Sequence, residues 1–264
     1  MEKRPNLHQL FKYTNLKLNK TLTVINETYL PGEAFIEIGD YDVGIRQLVP
    51  YYDLMHEVLS SVIPPETRTI LELGSGTGEL TSRLLSACSQ ARFLCIDYSE
   101  RMIPFMKNKL MQSGFHSRVE WITANIENIQ HLEHDFLQKS SVDACVTSLV
   151  LHHLDDDKKQ QLIHHIFHLL KPGGHFWIAD AVLPESIEMA VHYNLAREKW
   201  LDRNVLKREM LSPKMLQDKF YSRADSHNPT TLENSIKMLK NAGFRSPEIL
   251  WKYFGMAVFG GIKQ

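Results

Sequence analysis

Residues 71–78 read Leu71-Glu72-Leu73-Gly74-Ser75-Gly76-Thr77-Gly78. A short apolar run, TRTILEL (67–73), ends directly in three glycines at every second position, and a helical pattern, ELTSRLLSAC (79–88), follows at once. Glycines at such a junction let the chain turn sharply and let a ligand approach bare backbone at the carboxyl edge of a strand. The spacing is GxGxG. A dinucleotide-binding fingerprint needs GxGxxG, and position 79 here is Glu, so the loop argues against a dehydrogenase.

Outward from this loop, strands and helices alternate. ARFLCID (91–97), RVEWITAN (118–125), VDACVTSLV (142–150) and HFWIADAV (175–182) read as further strands. Helices are expected at 99–114, with Ser99 as N-cap, and at 155–170, where Leu162, Ile163, Ile166, Phe167 and Leu170 share a face. TLENSIKMLKNAGF (231–244) reads as a helix stopped by Gly243, and 248–263 as two closing antiparallel strands. Upstream, Tyr51, Leu54, Met55, Val58, Leu59 and Val62 recur at helical spacing, and Pro64-Pro65 ends them. This order implies a Rossmann-like, doubly wound α/β sheet. The expectation is one domain over 1–264, with an N-terminal cap (1–62) and a lid insertion (184–230) holding helices near 185–203 and 213–221.

Composition sets the class. The chain has 264 residues, 43% hydrophobic and 23% charged, with 30 basic against 31 acidic side chains. That is enough apolar material for one sizeable core. The near-neutral balance gives no bulk argument for nucleic acid or an anionic membrane. No apolar stretch reaches the about 18 residues of a membrane span. The three cysteines, Cys88, Cys95 and Cys145, lack CxxC spacing. Buried reduced thiols are expected, and with them a cytoplasmic location.

Two further strand ends carry chemistry. Asp97 closes the second strand, 19 residues after Gly78, and an acidic side chain there can accept hydrogen bonds from both hydroxyls of a ribose. Tyr98 and Met102 can sandwich an adenine ring, or can be packing residues of the following helix. After the third strand, Asn125 can bond the exocyclic amine of adenine, with the backbone of Ile126 at the ring edge. Asn125 is equally well suited to a turn.

Together, LELGSGTGELT, the Asp97 strand end, TANIENI, VDACVTSLVLHHL and LLKPGGHFWIADAV resemble the successive motifs of class I S-adenosylmethionine (SAM)-dependent methyltransferases, over residues 45–264. The resemblance implies a seven-stranded sheet with a reversed final hairpin, SAM as cofactor and S-adenosylhomocysteine as product. It implies that Glu72, Gly74, Ser75 and Gly76 line the methionine part, with Gly78 completing the loop. It further implies Asp97 at ribose, Asn125 and Ile126 at adenine, and Ser148 beneath the methionine. IRQLVPYYDLM (45–55) and the C-terminal tail are also similar to carboxy-SAM synthases of tRNA wobble-uridine modification. That similarity implies Tyr52 at the cofactor and an arginine from the lid, with Arg223 the nearest candidate. The glycine loop departs from that group and keeps the ordinary methyltransferase pattern.

His152 and His153 follow the fourth strand and are candidates for a general base or a substrate contact, against a structural reading. His164 and His168 are four apart, but with no acidic or cysteine partner evident no metal is expected. Tyr193, Arg197 and Arg223 are candidate substrate contacts, with lid packing and surface salt bridges as the competing reading. The function expected is methyl transfer to a small-molecule acceptor. The alternatives are a tRNA-modification enzyme of the carboxy-SAM synthase type and a non-catalytic SAM-binding protein.

Overall fold

The computed structural model describes residues 41–204 and 228–264. Two short helices, α1 (Tyr41–Leu48) and α2 (Tyr52–Ser61), precede the alternating part. There follow β1 (Thr69–Leu73), α3 (Glu79–Ala87), β2 (Arg92–Asp97), α4 (Ile103–Gln112), β3 (Val119–Thr123) and β4 (Val142–Ser148). The chain continues through α5 (Asp156–Leu169), β5 (Leu170–Leu183), α6 (Ile187–Asn204), β6 (Thr230–Thr231), α7 (Leu232–Ala242), β7 (Glu248–Tyr253) and β8 (Met256–Ile262).

The strands line up as β3-β2-β1-β4-β5-β8-β7. Strands β1 to β5 are parallel, β8 runs antiparallel to β5, and β7 antiparallel to β8. Strand order reverses between β1 and β4, and the crevice at such a switch point is where doubly wound sheets hold ligands. The Rossmann-like expectation is therefore met, with one strand more than expected. Thr230 and Thr231 form a two-residue parallel rung on Val182 and Leu183, too short to leave a periodic signal.

Each face of the sheet has its own core. On one, Ile70, Phe93, Cys95 and Val146 pack with Met55 and Leu59 of α2, Leu84 of α3 and Met106 of α4. On the other, Leu71, Leu94, Cys145 and Ile178 pack with Ile163 and Ile166 of α5 and Leu239 of α7. Burial on both faces is why the parallel strands read as continuous apolar runs. All three cysteines are buried and unpaired.

Some boundaries differ from the sequence reading. The helix expected from 99 begins at Ile103. Its N-cap is Met102, which caps nothing with its side chain, and Pro104 sits in the first turn. Ser99 instead opens a separate turn, its carbonyl accepting the Met102 amide. On α5, Leu169 takes the buried position, while Leu170 already belongs to β5 and Phe167 is only partly buried, its ring 5.0 Å from Phe244. Helix α7 keeps its expected stop at Gly243, with φ 118°. The lid helix at 213–221 and Arg223 lie outside the described residues. Among those described, no helix is long and apolar enough to cross a membrane.

Candidate functional site

The glycine loop owes its shape to three left-handed residues: Gly74 (φ 69°), Gly76 (φ 52°) and Gly78 (φ 79°). Their neighbourhoods differ. A Cβ on Gly74 would lie 2.1 Å from Cγ2 of Val150, and one on Gly78 would lie 2.8 Å from Cγ of Met106. A Cβ on Gly76 would meet nothing within 4 Å. Gly74 and Gly78 are thus glycine for packing as well as for backbone conformation. Gly76 faces open space on the ligand edge. Beside it, the hydroxyl of Ser75 is buried with no hydrogen-bond partner among the described residues. A buried orphan hydroxyl costs about 1–3 kcal/mol until a partner arrives, so this loop suits a polar ligand laid along its backbone.

Asp97 is buried, at 8% exposure. One carboxylate oxygen accepts the Gly76 amide at 2.7 Å and the other the Ser99 amide at 2.8 Å. Burial pushes this carboxyl up, and the two amides pull it back down. The two bonds leave further lone pairs on each oxygen. The side chain therefore ties the glycine loop to the end of β2 and can still accept from a ligand. Tyr98 is half-buried and Met102 buried, next to it in sequence.

Glu72 lies lower. Its carboxyl accepts from the Thr81 hydroxyl at 2.7 Å, with Cys95 Sγ at 3.9 Å. Burial pushes it up to about 8, beyond what the Thr81 bond recovers. Asn125 is exposed, and its side-chain oxygen accepts the Glu127 amide at 3.0 Å, capping a short 3-10 turn in which Ile126 is buried.

A family described as "Methyltransferase domain" matches residues 70–174. The carboxy-SAM synthase of Nautilia profundicola is 26% identical over 234 residues, covering 84% of this chain and 90% of that protein. An O-methyltransferase family protein from Burkholderia thailandensis superposes with a TM-score of 0.61 at 15% identity, over 86% of this chain and 59% of that one. Human N-acetylserotonin methyltransferase, solved with SAM, gives 0.55 at 16% identity, over 86% and 57%. The chain spans less than two thirds of these solved neighbours. These similarities support a class I SAM-dependent methyltransferase.

The end of β4 has a partner that sequence reasoning missed. His56 of α2 is buried, and its Nε2 lies 2.8 Å from the Ser148 hydroxyl. Burial, reinforced by the Arg83 guanidinium, pushes its imidazole down to about 3, so it is neutral at ordinary pH. Its ring packs on Tyr52 at 4.2 Å, and the Arg46 guanidinium lies 5.5 Å from the Tyr52 ring centroid. The signal was the four-residue spacing of Tyr52 and His56 on one helix face.

His152 is buried, at 4% exposure. Nδ1 lies 2.5 Å from one oxygen of Asp180, and the His152 amide donates to the other at 3.0 Å. The ring lines a small cavity with Ile163, Ile178, Met238 and Phe259, on the α5–α7 face of the sheet. His153 is half-buried, its ring 4.0 Å from that of His152. Between β4 and this pair, Leu149 adopts a left-handed conformation (φ 57°).

Tyr193 and Arg197 are buried on α6. The Tyr193 hydroxyl accepts from Lys252 at 2.6 Å, and its ring lies 5.7 Å from Phe254. Trp200 donates to the Gln47 carbonyl at 2.8 Å, and Tyr51 lies between Trp200 (4.9 Å) and Tyr253 (4.7 Å). Tyr51 and Phe254 are both left-handed, at φ 58° and 44°. The turn between β7 and β8 lies beside the carboxyl end of β5, so this aromatic cluster stands at the ligand edge. The His164 and His168 rings meet edge-on, 4.9 Å apart. Among the described residues no cluster of His, Cys, Asp or Glu is placed to hold a metal ion.

Proposed function

We propose that this protein transfers a methyl group from SAM to a small-molecule acceptor, with the cofactor along the edge formed by β1, β2 and β4. The observation that carries the cofactor assignment is the orphan hydroxyl of Ser75 beside the open face of Gly76, next to Asp97 at the switch point. In this reading Gly74, Ser75, Gly76 and Gly78 underlie the methionine part, Asp97 accepts from the ribose, and Tyr98 and Met102 flank the adenine. Asn125 and the Ile126 backbone read the adenine edge. Ser148 supports the methionine, with Tyr52 behind it. Glu72 supports the loop from beneath, through Thr81.

SAM supplies a methyl carbon already activated by its sulfonium. The chain's tasks are alignment and exclusion of water. The neutral imidazole of His56 suits a place near a cationic sulfur, because a charged one would repel it. If the acceptor must lose a proton, His153 takes it, while His152 is held on Asp180 as an anchor. The aromatic cluster of Tyr51, Trp200 and Tyr253, with Tyr193 and Arg197 behind it, favours a planar acceptor. The buried free thiols suit the cytoplasm.

The test is incubation with methyl-labelled SAM and a fractionated metabolite extract. Label in a small-molecule product, with stoichiometric S-adenosylhomocysteine, is expected. SAM turnover with no labelled product would overturn the assignment. The similarity to a carboxy-SAM synthase over 84% of the chain favours one second reading, formation of carboxylated SAM for tRNA modification. Mass spectrometry of the cofactor separates the two, since methyl transfer leaves S-adenosylhomocysteine and the second reaction leaves a heavier, carboxylated sulfonium.

A further inference from the structure

Glu79 stands where a dinucleotide fingerprint has its third glycine, and it is the hub of a charged ring. It is the first residue of α3 and accepts from Lys109 of α4 and from Arg46 of α1. Lys109 also donates to Asp42 of α1 at 2.7 Å, and Arg46 donates to the Asp42 carbonyl at 2.7 Å. Asp42, Lys109, Glu79 and Arg46 thus close on one another. Arg46 has a further carboxylate in Asp53 of α2, at 3.1 Å. Burial works against ionisation of Glu79, but the hydrogen bonds from Lys109 and Arg46 outweigh it and hold its carboxyl well below the usual range.

The ring reaches the cofactor loop through one contact. The other oxygen of Asp42 accepts the Thr77 hydroxyl at 2.5 Å, and Thr77 is buried between Gly76 and Gly78. Burial, with the charges of Asp97 and Asp42, also pushes up the phenol of Tyr41 of α1. The end of β4 is met by the neighbouring helix. Ser148 is met by His56 of α2. The loops after β1 and β4 that carry proposed cofactor contacts therefore each have a partner in the α1–α2 pair.

We propose that α1 is a latch on the cofactor loop: the ring of Asp42, Lys109, Glu79 and Arg46, fastened to Thr77 by Asp42, sets how slowly bound SAM leaves. The inference rests on the cofactor site proposed above. Ring members are 20–35% exposed, so their pairing adds little to global stability. Its effect falls on the segment that must lift before a ligand under it can depart. Asp42 is a positioning residue in this scheme, acting through Thr77.

The experiment is a chase of radiolabelled SAM from the full chain by excess unlabelled SAM. Asp42→Asn and Glu79→Gln should each release SAM about tenfold faster, the scale of one lost charge-assisted hydrogen bond. Asp42→Glu should recover part of the slow release. Raising salt from about 0.05 to 0.5 M should speed release from the wild type more than from either variant. Asp42→Asn and Thr77→Val should be non-additive in a double-mutant cycle. Melting temperatures of the ligand-free variants should stay close to wild type, which separates the latch from a fold effect. Release rates within twofold of wild type, or additive effects of Asp42 and Thr77, would overturn the latch alone. Failure of the wild type to retain any SAM would overturn the cofactor site and the latch together.

Discussion

The ligand edge over β1–β4 and the region where α6 meets β7 and β8 sit on one sheet but are built by different means. The first is made of backbone: left-handed glycines, amides on Asp97, and strand ends in register. Its backbone contacts are local or fall between neighbouring strands. The second is made of side chains from distant parts of the chain, Tyr51, Tyr193, Trp200, Tyr253 and Phe254, packed ring on ring. A backbone site suits an invariant part of a ligand, and a side-chain wall suits a part that varies between enzymes. Substitutions in the two regions should therefore separate cofactor binding from acceptor recognition.

The largest effect is expected inside the glycine loop. Gly76→Val places a branched side chain in the open space and should abolish SAM binding by calorimetry. The left-handed backbone adds a strain of about 1–2 kcal/mol, so a folded but cofactor-blind protein is expected. Gly74→Ala should behave oppositely. Its methyl meets Val150, so it should lower the melting temperature by about 1–3 kcal/mol worth of stability. Val150→Ala in the same chain should restore part of it. If Gly74→Ala melted like wild type, the packing contrast between the two glycines would fail.

Tyr193→Ala in the second region should cost about 3 kcal/mol of stability and raise the KM of the acceptor, leaving SAM affinity near wild type. A large loss of SAM affinity would break the proposed separation. Asp97→Ala should weaken SAM binding by about 1–3 kcal/mol, and unchanged affinity would remove the ribose assignment.

A separate effect is a pH dependence. His56 has a folded pKa of about 3 against an ordinary 6.5. Below pH about 6.5 the unfolded chain takes up a proton that the folded chain refuses. Stability from this group is thus complete above that pH and is lost progressively as pH falls toward 3. His56→Gln should flatten this part of the profile, measured by urea unfolding between pH 7 and pH 4. An unchanged slope would contradict the buried neutral imidazole.

This contrast also explains what the sequence disclosed. The loop at 74–78, Asp97 and the strand–helix alternation are local patterns, and the structure has them at the expected places. Helix α1 was illegible because its polar residues serve partners far along the chain: Asp42 meets Thr77 and Lys109, and Arg46 meets Glu79. His56 read as one more helical residue because its partner, Ser148, lies 92 positions away. Ser99 looked like a cap because its spacing fitted, but it opens a separate turn, its carbonyl accepting the Met102 amide, and the helix starts only at Ile103. Tyr51 gave no sign of its left-handed backbone, which tertiary packing among Trp200 and Tyr253 imposes.

The most direct test of the central claim is calorimetric titration of SAM and S-adenosylhomocysteine into the full chain and into Gly76→Val. Binding of both to one shared site in the wild type, and of neither to the folded variant, is the predicted result. No binding to the wild type, or equal binding to the variant, would contradict it.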